Sequence, residues 1–203
     1  MGFWERSILP RLVDFGMRGS TFREERPKCI RNAKGRVLEI GFGSGLNVPH
    51  YTEEVSELLA LEPSELGRKL AGKRVAAAPF PVSFVGLDGA AIPLDDESVD
   101  CVTCTWTLCT IPDVEGALRE VRRVLAPGGE FFFMEHGASR IEKVRRFQDR
   151  WNPLQKCLFG GCHVNREIDV LIKATGFESV EHEEYVLPGP RFIGSMYRGT
   201  ARK

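Results

Sequence analysis

The chain has 203 residues, of which 42% are hydrophobic and 28% charged, and its 28 basic residues balance its 28 acidic ones. This composition is typical of a folded globular protein and excludes wholesale disorder. The zero net charge argues against a dedicated nucleic-acid-binding protein. The longest stretches without Asp, Glu, Lys or Arg are residues 40–52 and 75–87, much shorter than the roughly 20 residues of a membrane-spanning helix. We expect one domain over residues 1–203.

The cysteines indicate a reducing compartment. The first ten residues, MGFWERSILP, lack the basic and apolar regions of a secretory signal, so we expect a cytoplasmic protein with six reduced thiols. Cys101 and Cys104 form a C-x-x-C pair, but they lie in a predicted strand, on which positions three apart point to opposite faces. No second pair follows at ligand spacing, and the sequence therefore predicts no metal site.

Strands and helices alternate along the chain. Short apolar segments predict strands over residues 36–40, 57–61, 82–87, 99–105, 130–135, 179–187 and 192–200. Apolar side chains three to four positions apart predict helices over residues 64–77, 113–125, 140–151 and 166–175. This alternation predicts an α/β fold, a doubly wound and mostly parallel sheet with helices on both faces. In such sheets ligands bind beyond the carboxyl ends of the strands.

A glycine-rich loop follows the first predicted strand, with the sequence EIGFGSG at 39–45. Its glycines allow a sharp turn and a close approach of the backbone to a ligand. The dinucleotide fingerprint G-x-G-x-x-G would require glycine where Leu46 stands, and the Gly-Lys-Ser/Thr of a phosphate-binding P-loop is absent,. The spacing that fits is E-x-G-x-G-x-G, which disfavours a nucleotide-linked oxidoreductase.

Four segments in order resemble class I S-adenosylmethionine-dependent methyltransferases of the methyltransferase type 11 and ubiquinone/menaquinone biosynthesis kind. They are VLEIGFGSG (37–45), ALEPS (60–64), GLDGAAIPL (86–94) and VRRVLAPGG (121–129). The resemblance implies a Rossmann-like sheet of seven strands whose last strand is antiparallel, with S-adenosylmethionine as the cofactor. On this basis we divide the chain into an N-terminal helical cap (1–35), a cofactor-binding core (36–137) and acceptor-side helices and closing strands (138–203).

The same resemblance implies which residues hold the cofactor. Glu62, the acid that ends the second strand, is expected to accept hydrogen bonds from both ribose hydroxyls. Asp88 and the backbone N–H of Gly89 are expected to face the adenine. Glu39 and the region near Thr105 are expected to face the methionine ammonium group. The complete predicted cofactor set is Glu39, Gly41, Gly43, Gly45, Asn47, Glu62, Asp88, Gly89 and Thr105.

Two histidines are candidates for a catalytic base that takes a proton from the methyl acceptor. His136 ends the fifth predicted strand, and His163 lies in a glycine-hinged segment between two helices. Further similarity, in GLNVPHY (45–51), MEH (134–136) and GGCH (160–163), is to a subgroup that includes the thiol S-methyltransferases of methyltransferase-like family 7 and small bacterial relatives. We therefore expect a small-molecule acceptor, either a thiol or an amine.

Two basic stretches keep a membrane alternative open. Residues 1–36 carry nine basic and four acidic residues, a net +5, and residues 140–156 carry six and two, a net +4. Because both also show helical apolar spacing, peripheral contact with an anionic membrane is an alternative. Some of the bacterial relatives resemble phospholipid N-methyltransferases, so a phospholipid acceptor is the rival function. A cofactor-binding protein without catalysis is a third possibility, and the sequence leaves the oligomeric state open.

Overall fold

The structure, a computed structural model, describes residues 4–86, 89 and 91–203, without the side chains of Glu5 and Arg6. Within these residues the strands are β1 Gly35–Ile40, β2 Val55–Leu61, β3 Val82–Gly86, β4 Val99–Thr105, β5 Leu125–His136, β6 Ser179–Val186 and β7 Ser195–Arg202. The helices are α1 Leu9–Gly16, α2 Ser20–Ile30, α3 Glu65–Ala76, α4 Val114–Val124, α5 Glu142–Leu158, α6 Ile168–Ala174 and α7 Arg191–Gly194. None of the described helices combines the length and the apolarity that crossing a bilayer requires.

The seven strands form one sheet in the order β3-β2-β1-β4-β5-β7-β6. Neighbouring strands from β3 to β5 are parallel, whereas β7 is antiparallel to both β5 and β6. The predicted doubly wound sheet with an antiparallel last strand is therefore confirmed. The strand order reverses between β1 and β4, and such a switch point opens a crevice beyond the carboxyl ends of the two strands.

Both faces of the sheet are covered, and the core strands are apolar on both sides as a result. Phe131 and Phe133 of β5 belong to one buried cluster, and Phe132 between them belongs to the other. Cys101 and Cys104 of β4 likewise lie in different clusters. This arrangement confirms that the two cysteines of the C-x-x-C pair point to opposite faces.

Three predicted elements differ clearly from the structure. The last strand, predicted over residues 192–200, covers Ser195–Arg202, because residues 191–194 form the short helix α7. Strand β5 begins at Leu125, five residues before the predicted start at residue 130. Leu125 already pairs with Val99, and the strand continues through Pro127-Gly128-Gly129 with a register shift in the pairing. Helix α5 continues through Pro153 to Leu158. The buried residues of α5 are Gln148 and Gln155, whereas its apolar Phe147 is 48% exposed, so the apolar spacing did not identify the inward face of this helix.

Candidate active site

The loop after β1 makes its turns at three glycines. Gly41, Gly43 and Gly45 have φ values of 73°, 57° and 75°, in the left-handed region that favours glycine. A Cβ atom at Gly41 would lie 2.0 Å from Thr107 Oγ1, so packing also excludes a side chain there. A Cβ atom at Gly43 would have open space around it, with the Gly41 carbonyl oxygen as its nearest neighbour at 3.9 Å. The loop therefore offers a free approach to its backbone at Gly43.

Glu62, at the end of β2, anchors this loop. Its Oε2 accepts a hydrogen bond from the Gly43 backbone N–H at 2.6 Å, and its Oε1 accepts one from the Ser64 N–H at 2.7 Å. The residue is only 6% exposed. Burial raises the pKa of the Glu62 carboxyl, and the two backbone N–H groups oppose this effect. Because each carboxylate oxygen has two lone pairs, both oxygens keep capacity for a further donor.

A buried polar network lies beside the loop. The Asn47 amide nitrogen donates to Glu39 Oε1 at 2.9 Å and to Thr105 Oγ1 at 3.0 Å. The Asn47 amide oxygen accepts from the Arg26 guanidinium at 2.7 Å, and the Tyr51 hydroxyl donates to Glu39 Oε2 at 2.8 Å. Asn47 thus fixes the carboxylate and the guanidinium at the same time, since it uses both ends of its amide.

Burial dominates the electrostatics of this network. It raises the pKa of the Glu39 carboxyl to about 7, against the hydrogen bonds from Tyr51 and Asn47 and the charge of Arg26, which favour the ionised form. It lowers the pKa of Arg26 to about 10, so the guanidinium stays charged at neutral pH. A cation placed beside Glu39 would stabilise the carboxylate and lower its pKa.

The loop, Glu62 and Glu39 share one cavity of about 330 Å³. The roof of the cavity is formed by helix α1 and the residue after it, by the end of β4 with the segment that follows, and by the residues after α5. These lining residues are Leu9, Pro10, Val13, Asp14, Met17, Thr105, Trp106, Thr107, Thr110, Phe159 and Gly160. The cavity thus lies at the switch point between β1 and β4, beneath a mainly apolar roof.

Helix α1 is fixed over the cavity by a buried acid. Asp14 is 6% exposed, and its Oδ1 accepts a hydrogen bond from the Ser44 hydroxyl at 2.6 Å. The same oxygen lies 3.6 Å from the Arg74 guanidinium of α3, and Arg18 pairs with Oδ2. These contacts join the roof directly to the glycine loop.

The structure brings most of the predicted cofactor residues together. Those that line the cavity are Glu39, Gly41, Gly43, Glu62 and Thr105. Asn47 lies behind them in the buried network. A Cβ atom at Gly45 would lie 3.2 Å from the Phe42 ring, so this glycine serves packing of the loop. Gly89 is buried, with its Cβ position 3.4 Å from Ile111 Cδ1, and Asp88 lies outside the described residues.

The two predicted bases are not among the residues that line the cavity. His136 Nδ1 lies 3.9 Å from the Cys162 sulfur, and His163 Nδ1 lies 3.3 Å from the Asn152 amide nitrogen. Burial lowers the pKa of His163, with the nearby Arg166 charge acting in the same direction. The geometry therefore gives neither imidazole direct contact with the cavity, and a role as base stays a prediction.

Three residues of this site were not predicted from the sequence: Arg26, Tyr51 and Asp14. Trp106, which lines the cavity, has a strained backbone. Trp106 has a φ of 52°, and its ring faces the Arg26 guanidinium at 4.9 Å. Its buried indole Nε1 has no hydrogen-bond partner among the described residues. The partners of Arg26, Asp14 and Tyr51 lie 12 to 30 positions away along the chain, so no local spacing signals these three residues.

Comparison with known proteins decides the family. A family model described as a methyltransferase domain matches residues 38–133. The chain is also 31% identical to the human thiol S-methyltransferase TMT1B over 183 residues, which cover 84% of this chain and 75% of the relative. The chain belongs to the S-adenosylmethionine-dependent methyltransferases.

Further similarities of this methyltransferase agree. It is 32% identical to the human thiol S-methyltransferase TMT1A over 161 residues, 77% of this chain and 66% of the relative. The fold matches that of a Haemonchus contortus phosphoethanolamine N-methyltransferase 2 bound to S-adenosylhomocysteine, with a TM-score of 0.75 and 15% identity, over 99% of this chain and 60% of that one. At this identity the match concerns the fold alone.

The residues present fit S-adenosylmethionine, the cofactor of this methyltransferase. The ligand is cationic at its sulfonium and ammonium groups and carries two ribose hydroxyls. The cavity lining includes three carboxylates, from Asp14, Glu39 and Glu62, against one guanidinium, from Arg26. Glu62 keeps acceptor capacity for hydroxyls, and the space at Gly43 lets a ligand approach the loop backbone.

Proposed function

We propose that this methyltransferase methylates a small apolar thiol. The observation that carries the proposal is the size and lining of the cavity. Its volume of about 330 Å³ lies near the lower end of the roughly 300–1,000 Å³ typical of ligand sites. Because the cofactor takes much of this space, the room that is left suits a small acceptor.

The roof of the cavity supports a thiol over an amine. Leu9, Val13, Met17, Trp106 and Phe159 give it an apolar surface. A protonated amine would lose hydration there without gaining an acidic partner, because Asp14 already has Ser44 and two arginines as partners. A neutral thiol loses little hydration on entering such a surface. The resemblance to relatives named thiol S-methyltransferases supports the same choice.

For the cofactor we propose roles that follow the sequence prediction. Glu62 accepts the ribose hydroxyls with its remaining lone pairs and holds the loop through Gly43. Glu39 balances the ammonium group, while Asn47 fixes the orientation of that carboxylate. Asp88 and Gly89 remain the predicted contacts to the adenine.

Bound cofactor supplies an electrophilic methyl group on a sulfonium, so the chain's part is to orient the acceptor and to exclude water. Helix α1 and Phe159 cover the cavity on the acceptor side. An alkane thiol is a weaker acid than the cysteine side chain, whose pKa is about 8.5, so only a small fraction of it is ionised at pH 7. We therefore propose that the thiol enters in its neutral form and passes its proton to solvent at the cavity mouth before the methyl group is transferred, without help from His136 or His163.

A matched pair of acceptors tests the proposal. A short alkane thiol and an alkylamine of the same chain length are offered with cofactor, and release of S-adenosylhomocysteine is followed. We expect turnover of the thiol and little turnover of the amine. Preference for the amine, or turnover of neither while the cofactor binds, would contradict the proposal.

A matched pair of variants tests where the thiol binds. Phe159 lines the cavity, and the adjacent Leu158 does not, although both are about equally exposed, at 48% and 42%. Phe159→Asp should raise the KM for the thiol at least fivefold and leave cofactor affinity unchanged. Leu158→Asp should change neither. Equal effects of the two substitutions would remove Phe159 from the acceptor site.

A phospholipid acceptor is the second candidate, favoured by apolar side chains exposed near the same roof. Trp4, Leu12, Val13 and Phe15 are 40%, 53%, 47% and 80% exposed, and the Trp4 indole donates to the Leu158 carbonyl of α5. Arginines on α1 and α5 add positive charge, which attracts anionic lipid headgroups. Co-sedimentation with anionic vesicles at low and moderate salt, with methylated lipid as the product, would favour this candidate over the thiol.

A further inference from the structure

Three side chains with metal-binding atoms meet behind the acceptor side of the cavity. Cys109 lies in the segment after β4, His136 ends β5, and Cys162 follows α5. The two sulfur atoms are 3.5 Å apart, and Cys162 Sγ lies 3.9 Å from His136 Nδ1. All three atoms lie within 4.8 Å of one another. Both cysteines are buried, at 1% and 6% exposure.

These distances match a tetrahedral zinc ion. Zn–S bonds of about 2.3 Å and Zn–N bonds of about 2.0–2.1 Å place two sulfur ligands roughly 3.8 Å apart and a sulfur and a nitrogen roughly 3.6 Å apart. The observed separations from Cys162 to Cys109 and to His136 differ from these values by about 0.3 Å,. The separation between Cys109 and His136 is at most 4.8 Å, so it has to close by no more than roughly 1.2 Å.

The surroundings of the cluster hold its ligand atoms in place. The buried Glu135 carboxylate accepts backbone N–H bonds from Thr107 at 2.9 Å and from Cys109 at 3.3 Å. Such outer contacts orient the ligands of metal sites.

We propose that Cys109, His136 and Cys162 bind one zinc ion through two thiolates and an imidazole, with a fourth position open to water or another donor. Two Zn–S bonds and one Zn–N bond form, and any thiol protons pass to solvent. The ion would clamp the segment after α5 to the segment after β4, which already share a backbone hydrogen bond from His163 N to Cys109 O at 2.7 Å.

This clamp would bear on the cavity, because Phe159 and Gly160 of the clamped segment line it. Gly160 and Gly161 have φ values of 58° and 88°, so the chain turns sharply just before Cys162. The sequence-based prediction that the chain has no metal site was drawn from Cys101 and Cys104, the two cysteines of β4. The proposed site uses a different pair, 53 positions apart, which leaves no spacing signature.

Titration of the full chain with zinc alone tests the site. Metal-free protein kept reduced should bind one zinc per chain, and cobalt in its place should give thiolate-to-cobalt charge-transfer absorption. Cys109→Ser and Cys162→Ser should each weaken zinc binding at least about 100-fold and remove that absorption. Cys157→Ser is the control, because Cys157 is an exposed cysteine of α5, and it should bind zinc like the unchanged protein.

Folding of each variant is checked by circular dichroism and by its melting temperature without metal. A second measurement does not depend on the variants: in a denaturant concentration that exposes Cys109 and Cys162 of the metal-free protein, zinc should slow their alkylation and leave Cys157 reactive. The proposal is overturned if the reduced protein binds zinc with unchanged affinity in both serine variants, or binds none. Formation of a disulfide between Cys109 and Cys162 in protein that binds no zinc when reduced would also overturn it and make the pair a redox site.

Discussion

Replacement of Glu62 by glutamine probes the centre of the cofactor site without a change in side-chain volume. Glu62 accepts two backbone N–H bonds, from Gly43 at 2.6 Å and from Ser64 at 2.7 Å. An amide has only one oxygen, so its NH2 group must face one of these donors in a site that is 6% exposed. A buried donor left without an acceptor costs about 1–3 kcal/mol.

The cost of Glu62→Gln should be visible in two measurements. The melting temperature of the free protein should fall, since each kcal/mol corresponds to about 2–4 °C for a chain of this size. Affinity for S-adenosylhomocysteine, measured by calorimetry, should fall roughly 5- to 150-fold, because one hydroxyl acceptor is lost as well. Glu65→Gln is the control, because Glu65 is an exposed residue in the first turn of α3. An unchanged melting temperature together with affinity within twofold would refute the assignment of Glu62.

Three further predictions concern other parts of the site. Burial raises the pKa of Glu39 to about 7, so its carboxylate forms as pH rises through 7. Cofactor affinity should therefore rise between pH 6 and 8, and Glu39→Gln should flatten this dependence. A pH-independent affinity in the unchanged protein would argue against a role of Glu39 in cofactor binding. Gly43→Val should weaken cofactor binding at least tenfold in a folded protein, since valine fits poorly at a φ of 57°, and fills the space beside the loop; near-normal binding would mean that the glycine serves only the turn. In protein kept free of metal, His136→Ala and His163→Ala should each keep a rate that rises with pH according to the thiol's own pKa. A rate lost at pH 7 but recovered at high pH would restore that histidine as the base.

The pKa of Glu39 also predicts how the stability of the free protein depends on pH. The folded-state pKa of about 7 lies above the ordinary value of 4.5, so the folded chain binds a proton more tightly than the unfolded chain between these values. Glu39 therefore makes the free energy of unfolding fall as pH rises from about 4.5 to about 7,. Chemical denaturation across this range in the presence and absence of S-adenosylhomocysteine should show a smaller fall with ligand, because the ligand's ammonium favours the carboxylate. An equal fall in both conditions would place the ammonium away from Glu39.

Local patterns predicted the sheet well. Strand β4 has the predicted bounds, 99–105, because its apolar run ends where the chain leaves the buried sheet. The turn residues Pro127-Gly128-Gly129 suggested a strand that begins at 130, but pairing with β4 extends β5 back to Leu125. Such boundaries depend on pairing with strands that are distant in sequence, and the residues of a single segment do not show this pairing.

The candidate site was predictable where its residues belong to a strand end or to the glycine loop. Glu39, Gly43 and Glu62 all follow from that pattern and line the cavity. Arg26 and Asp14 did not follow, since each contacts the loop region from a helix 21 to 30 positions away. From the sequence alone, these charged side chains look like solvent-exposed residues on a helix surface, and only the fold shows that they are buried.

The identity of the methylated product decides whether the cavity serves a thiol acceptor. S-adenosylmethionine with an isotopically labelled methyl group is incubated with the enzyme, a short alkane thiol and anionic vesicles together, and all products are identified by mass spectrometry. We expect labelled S-methyl thioether and S-adenosylhomocysteine in equal amounts, with both lost in Glu62→Ala. Label found only in lipid or amine products, or an undiminished yield of thioether in Glu62→Ala, would contradict this expectation.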